Sequence, residues 1–78
     1  MLIHLGGSLA WYDEKKRSKI EINLTDSISL NKLIQNLLIP KNEIAFISIN
    51  GSIFAGDDVL LTNSDTVMIF PPIGGGSV

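Results

Sequence analysis

Seventy-eight residues with no cysteine and a formal net charge of −2 make one domain at most and exclude disulfides, Cys-based zinc sites and a thiol nucleophile. Apolar residues form 45% of the chain and charged ones 18%, a balance that favours a packed core over disorder. No basic stripe marks a nucleic-acid surface, no apolar run approaches the ~20 residues of a membrane span and no signal-peptide pattern opens the chain, so a soluble cytoplasmic protein is expected, with neither nucleic acid nor membrane as partner.

Residues 1–10, MLIHLGGSLA, alternate as a strand, with Met1, Ile3 and Leu5 on one face and Leu2 and His4 on the other. Gly6-Gly7 interrupts the pattern, as a bulge or a close backbone approach does. WYDEKKRSK reads as a polar turn in which Asp13 and Glu14 nearly balance Lys15, Lys16 and Arg17. KIEINLT then alternates cleanly, Ile20, Ile22 and Leu24 inward and Glu21 and Asn23 outward. The two strands form a hairpin.

The period changes in DSISLNKLIQNLLIP. Leu30, Leu33, Ile34, Leu37 and Leu38 make one helical stripe, opposite a polar face of Asn31, Lys32, Gln35 and Asn36. Ser29 or Ser27 serves as N-cap, and Pro40 ends the element. IAFISINGSIF is β-rich and carries Asn50-Gly51, the strongest short hairpin signal. AGDDVLLTNSD reads as loop or short irregular structure. TVMIF is a last strand, with Val67, Ile69 and Met68 buried, stopped by Pro71-Pro72.

This order predicts an α+β roll, a mixed sheet of four to five strands packed on one main helix. The last strand is left to pair centrally beside the first. Residues 1–73 then form the domain, and residues 74–78 a flexible glycine tail.

Few residues carry chemistry. There is no Ser/His/acid set, no spaced metal ligands, and no Lys beside the glycines for a phosphate loop. Asp57-Asp58 reads as a solvated turn and His4 as a surface or satisfied histidine. The chain is not expected to be an enzyme, nor to bind a metal or a cofactor of its own. What remains is FPPIGGGSV. A chain terminus offers its α-carboxylate, and glycine covers that group least. A side-chain-free tail can enter a narrow tunnel: the five residues after Pro71 span roughly 17 Å when extended. Pro71-Pro72 stiffen its base.

The whole chain resembles the ThiS/MoaD family of ubiquitin-like β-grasp sulfur carriers. The likeness runs from the first strand through SLNKLIQNL and ISINGSIF to LTNSDTVMIFPPIGGG. Its closing pattern is met by Leu61, Asp65, Val67, Pro71, Pro72, Ile73, Gly74, Gly75 and Gly76. The paired prolines are closer to the molybdopterin synthase small subunit than to the thiamin carrier. The resemblance implies a mechanism. A ubiquitin-activating-type enzyme uses ATP to adenylate the terminal glycine, a sulfur donor leaves a thiocarboxylate, and a synthase large subunit receives the sulfur. Gly76 is then the reactive residue, Gly74 and Gly75 thread the tunnel, and Pro71, Pro72 and Ile73 face partners; the docking face of the sheet is not assigned by the resemblance, and Phe54 and Phe70 are the candidates for it.

Two departures stand out. Ser64 replaces the family's turn glycine, and Asn63 is expected to supply the left-handed residue instead. Ser77 and Val78 follow Gly76, so a peptidase must remove them before Gly76 has a carboxylate to activate. Two other readings remain open: a ubiquitin-like modifier, or a β-grasp interaction module that is never activated.

Overall fold

The computed structural model describes residues 1–72; the expectations for Ile73, Gly74, Gly75, Gly76, Ser77 and Val78 fall outside the described residues. Strand β1 (Leu2–Leu5) leads through a 3-10 helix (Gly7–Tyr12) to β2 (Lys19–Glu21). Then come β3 (Ile28–Ser29), α1 (Leu30–Leu37), a second 3-10 turn (Lys41–Glu43), β4 (Phe46–Ile49), β5 (Ser52–Ile53), β6 (Leu60–Leu61) and β7 (Thr66–Phe70).

Five strands form one sheet in the order β2-β1-β7-β4-β5, parallel only between β1 and β7. The last strand therefore lies at the centre, beside the first, as the element order predicts. Register puts Ile3, Ile20, Val67 and Ile49 in one row across the sheet, with Ile69 beside Leu5 and Ile47. This face packs on Leu30, Leu33 and Ile34 of α1. Ile3, Val67 and Ile69 are wholly buried, each side chain stabilising by about 1.5–3 kcal/mol over an exposed one. The result is a β-grasp, an α+β fold with one main helix.

Local signals explain most of the boundaries. Ser29, not Ser27, caps α1: its Oγ accepts the Lys32 N–H at 3.1 Å. Asn50 and Gly51 take φ of 52° and 89°, the doubly positive conformation of a type I′ hairpin turn.

Five expectations need correcting. Residues 8–10 do not extend β1. Gly7, at φ 52°, turns the chain into the 3-10 helix, and wholly buried Leu9 plugs the core from there. Leu38 leaves the helical stripe: it is the left-handed C-cap at φ 62°, 76% exposed, and Ile39 is buried in its place. The chain must reverse before Pro40, and the αL residue makes that reversal. The stretch 55–65 contains β6, which pairs with β3 in a separate two-stranded sheet and buries Leu61. Two-residue strands are too short to show alternation. Met68 is half-buried rather than core, because alternation turns it away from Val67 and Ile69.

The fifth correction concerns the turn before β7. Among the described residues only Lys16, Leu38 and Asn50 are non-glycines with positive φ, so neither Asn63 nor Ser64 is left-handed. The turn is held by side chains instead. Asp65 Oδ2 accepts the Thr62 N–H at 2.7 Å, and Asn63 Oδ1 accepts the Leu24 N–H at 2.7 Å.

Candidate functional site

Strand β7 delivers the chain to Pro71 held on both sides. The Gly6 N–H donates to the Ile69 carbonyl and the Ala45 N–H to the Phe70 carbonyl, each at 2.8 Å. Pro71 has no N–H to continue either ladder. The β structure therefore stops at Phe70, and the chain leaves from the middle of the sheet rather than from a frayed edge.

The base of this exit is unusually close to β1. A Cβ on Gly7 would lie 2.8 Å from Pro71 Cγ, inside van der Waals contact. One on Gly6 would lie 3.2 Å from Phe70 Cδ1, 3.3 Å from the Ile69 carbonyl oxygen and 3.4 Å from Pro71 Cδ. Of the two sequence readings of Gly6-Gly7, close approach is the one found. The sequence carried that signal but could not name the partner, which lies some sixty residues away.

The sheet face opposite α1 is partly exposed, with Met68, Phe46 and Phe70 half-buried, Lys19 and Ile53 exposed, and Ser48 buried. Across it, register aligns Lys19, His4, Met68, Ser48 and Ile53 in one row and sets Phe46 beside Phe70 in another. The two rings stack, centroids 4.6 Å apart and planes 23° from parallel. Phe70 therefore belongs to an apolar surface next to the tail's base. Phe54 does not share that surface. It packs toward the core beside Gly56 and lines a cleft of about 310 Å³ with Leu30, Ile34 and Ile44, at whose rim Phe46 also lies. Pro71 is half-buried and Pro72 exposed.

The turn entering β7 is joined to the β4–β5 hairpin. Asn50 Nδ2 donates to Asp65 Oδ1 at 2.8 Å while Asn50 Oδ1 accepts the Thr66 N–H at 2.9 Å. The Thr62 N–H, then the Asn50 amide, hold the Asp65 carboxyl below the ordinary aspartate range. Asn63 Oδ1 also accepts from the Met1 ammonium at 3.2 Å. Both ends of β7 are thus tied to neighbours far away in sequence.

Asp58 and Asp13 are engaged in the fold itself. Asp58 Oδ1 accepts the Asn31 N–H at 3.0 Å and the Val59 N–H at 2.9 Å, capping α1 from a distance. Asp13 makes a bidentate pair with Arg17, Nε to Oδ2 at 3.0 Å and Nη2 to Oδ1 at 3.1 Å. That pairing, first through the Arg17 side chain, holds the Asp13 carboxyl far below its usual range. Among the described residues no cluster of three or more His, Asp or Glu could hold a metal, and no helix is long and apolar enough to cross a membrane.

The model of the ThiS family matches residues 9–76, which leaves out only the first eight positions and Ser77-Val78. No curated protein matches the chain significantly.

Proposed function

The chain belongs to the ThiS family, whose members are small sulfur carriers rather than enzymes, and on that premise we propose that its sulfur travels as a thiocarboxylate on Gly76. A free carboxylate is unreactive toward sulfur nucleophiles. Attack of the Gly76 carboxylate on the α-phosphate of ATP expels pyrophosphate and forms an acyl-adenylate. Hydrosulfide supplied by a sulfur donor then attacks the acyl carbon and expels AMP, leaving the C-terminal thiocarboxylate with no change of oxidation state. The ATP belongs to the adenylating enzyme, and the carrier supplies a deliverable terminus.

The observation that best supports this reading is the double tether of β7 up to Phe70, directly followed by Pro71-Pro72. A tail rooted at the centre of a sheet reaches a partner's active site with less orientational freedom to lose than one rooted in a loop. The face opposite α1, around Met68, Phe46 and Phe70, is the surface on which the adenylating enzyme docks in this reading. An apolar patch beside the tail lets one contact both bind the carrier and aim it. Phe54, turned toward the core, acts on docking only through the cleft it lines.

Ser77 and Val78 must be cleaved first, because Gly76 otherwise carries a peptide bond in place of a carboxylate. Pro71-Pro72 favours a molybdopterin-type synthase large subunit as recipient over the thiamin pathway. Intact mass of the protein from its native host tests the whole sequence of events. The expected species ends at Gly76 with one terminal oxygen replaced by sulfur. Retention of Ser77-Val78 in the presence of adenylating enzyme and ATP defeats the proposal, and isopeptide adducts on lysines would show a modifier instead.

A further inference from the structure

Pro71 restricts its own φ, but that alone does not aim a tail; the ring must also rest against something. We propose that Gly6 and Gly7 are positioning residues for the activation of Gly76, forming the seat on which the Pro71 ring rests and from which the tail takes its direction. The inference rests on the sulfur-carrier reading above.

Three observations carry it. The first is space: a Cβ at Gly7 would come within 2.8 Å of Pro71 Cγ, and one at Gly6 within 3.4 Å of Pro71 Cδ. The second is rigidity behind the seat, since the Gly6 N–H is itself bonded to the Ile69 carbonyl at 2.8 Å. Seat and strand are therefore one unit, and a displaced Pro71 cannot carry the seat away with it. The third separates sterics from backbone conformation. Gly7 has φ 52°, and so does Asn50, while Lys16 and Leu38 sit at 57° and 62°. This fold accepts side chains at that dihedral in three other places. At position 7 the proline opposite adds a steric demand for glycine beyond the one the positive φ already makes.

For Gly7 the only atoms that an added Cβ meets are those of Pro71, whereas one on Gly6 meets Phe70 and the Ile69 carbonyl before Pro71. Gly7 is exposed and Gly6 half-buried, and the atoms nearest an added Cβ belong to Ile69, Phe70 and Pro71, where the strand becomes the tail. A side chain at position 7 pushes first on the tail's base. A changed angle at Pro71 is passed on to whatever follows it in the chain, and a misplacement of about 1 Å can cost a reaction on the order of 100-fold.

The test uses a chain ending at Gly76, which lacks only two residues beyond the described fold, with its adenylating enzyme and ATP. Gly7→Asn tolerates the left-handed backbone but adds the clashing Cβ. It should dock with a Kd within about twofold of wild type while kcat for ATP–pyrophosphate exchange falls at least tenfold, on the order expected for a misplaced reacting group. In a Pro71→Ala background the same change should cost less than about threefold, because the atom it meets is gone and the two sites are coupled. Wild-type kcat for Gly7→Asn, or an equal loss in both backgrounds, overturns the seat. Should Gly7→Asn unfold alone yet fold with Pro71→Ala, the contact is upheld; unfolding in both overturns it. If the wild-type chain ending at Gly76 is not activated at all, the sulfur-carrier reading fails separately. The seat is then judged by a cross-relaxation peak between Gly7 Hα and the Pro71 ring, whose absence in the wild type refutes it.

Discussion

Asn63→Ala is the sharpest probe of how this chain holds its final turn. The Asn63 amide oxygen accepts from the Leu24 N–H at 2.7 Å and from the Met1 ammonium at 3.2 Å. A typical hydrogen bond contributes about 0.5–1.5 kcal/mol net, and one to a charged group somewhat more. Both donors here are reachable by water, which replaces part of the loss, so about 1.5 kcal/mol is expected for the pair. For a domain of this size that lowers Tm by roughly 6–12 °C, readable in thermal unfolding followed by far-ultraviolet circular dichroism. Asn63→Asp keeps the acceptor and adds attraction to the ammonium, so it should stay within about 0.5 kcal/mol of wild type. Asn63→Gly separates the two accounts of this residue. Were its role to adopt a left-handed backbone, glycine would serve at least as well. In the hydrogen-bonding account glycine is no better than alanine, and about 0.5–1 kcal/mol worse if the backbone entropy is felt. Wild-type stability of Asn63→Gly, or an equal loss for Asn63→Ala and Asn63→Asp, would refute the reasoning.

Four further outcomes follow from the same geometry. Leu33→Ala removes a side chain only 1% exposed and should cost about 2–5 kcal/mol in urea unfolding. Leu38→Gly, at the exposed left-handed C-cap, should stabilise by up to about 1 kcal/mol as the strain of a side chain at positive φ is relieved. The Asp65 carboxyl titrates below its unfolded value, so its contribution is fully present above the unfolded pKa of about 4 and is lost as pH falls through the folded one. Asp65→Asn should therefore flatten the acid limb of the stability profile below about pH 4, and an unchanged limb counts against its bonds to Thr62 and Asn50. Met68→Asp, on the face opposite α1, should leave circular dichroism native while weakening the adenylating enzyme's grip at least about tenfold by calorimetry, as loss of a central interface residue does.

Legibility tracked the length of the local signal. The helix from Leu30 shows in the sequence because its apolar residues recur every three or four positions, and the hairpin at Asn50-Gly51 because few residue pairs accept two positive φ values. The central place of the last strand followed from element order. Leu38 was misjudged because spacing records where a stripe could continue and not where the chain must reverse. Strands β3 and β6 were invisible because each is two residues long and finds its partner some thirty residues away. Asn63 was assigned a local backbone role, while its acceptor reaches Leu24 across the molecule.

The candidate site divides along the same line. The makeup of the tail, paired prolines, then glycines, then Ser77-Val78, is legible in the sequence alone, and the chemistry proposed for it rests on which side chains are absent. Where that tail is rooted and what it rests on was decided by tertiary structure. The pairing of β1 with β7 brings Gly7 to Pro71 and sets Phe70 on the face opposite α1 with Phe54 turned to the other side. These are contacts between residues distant in the chain, and the pairing of the strands within the sheet creates them.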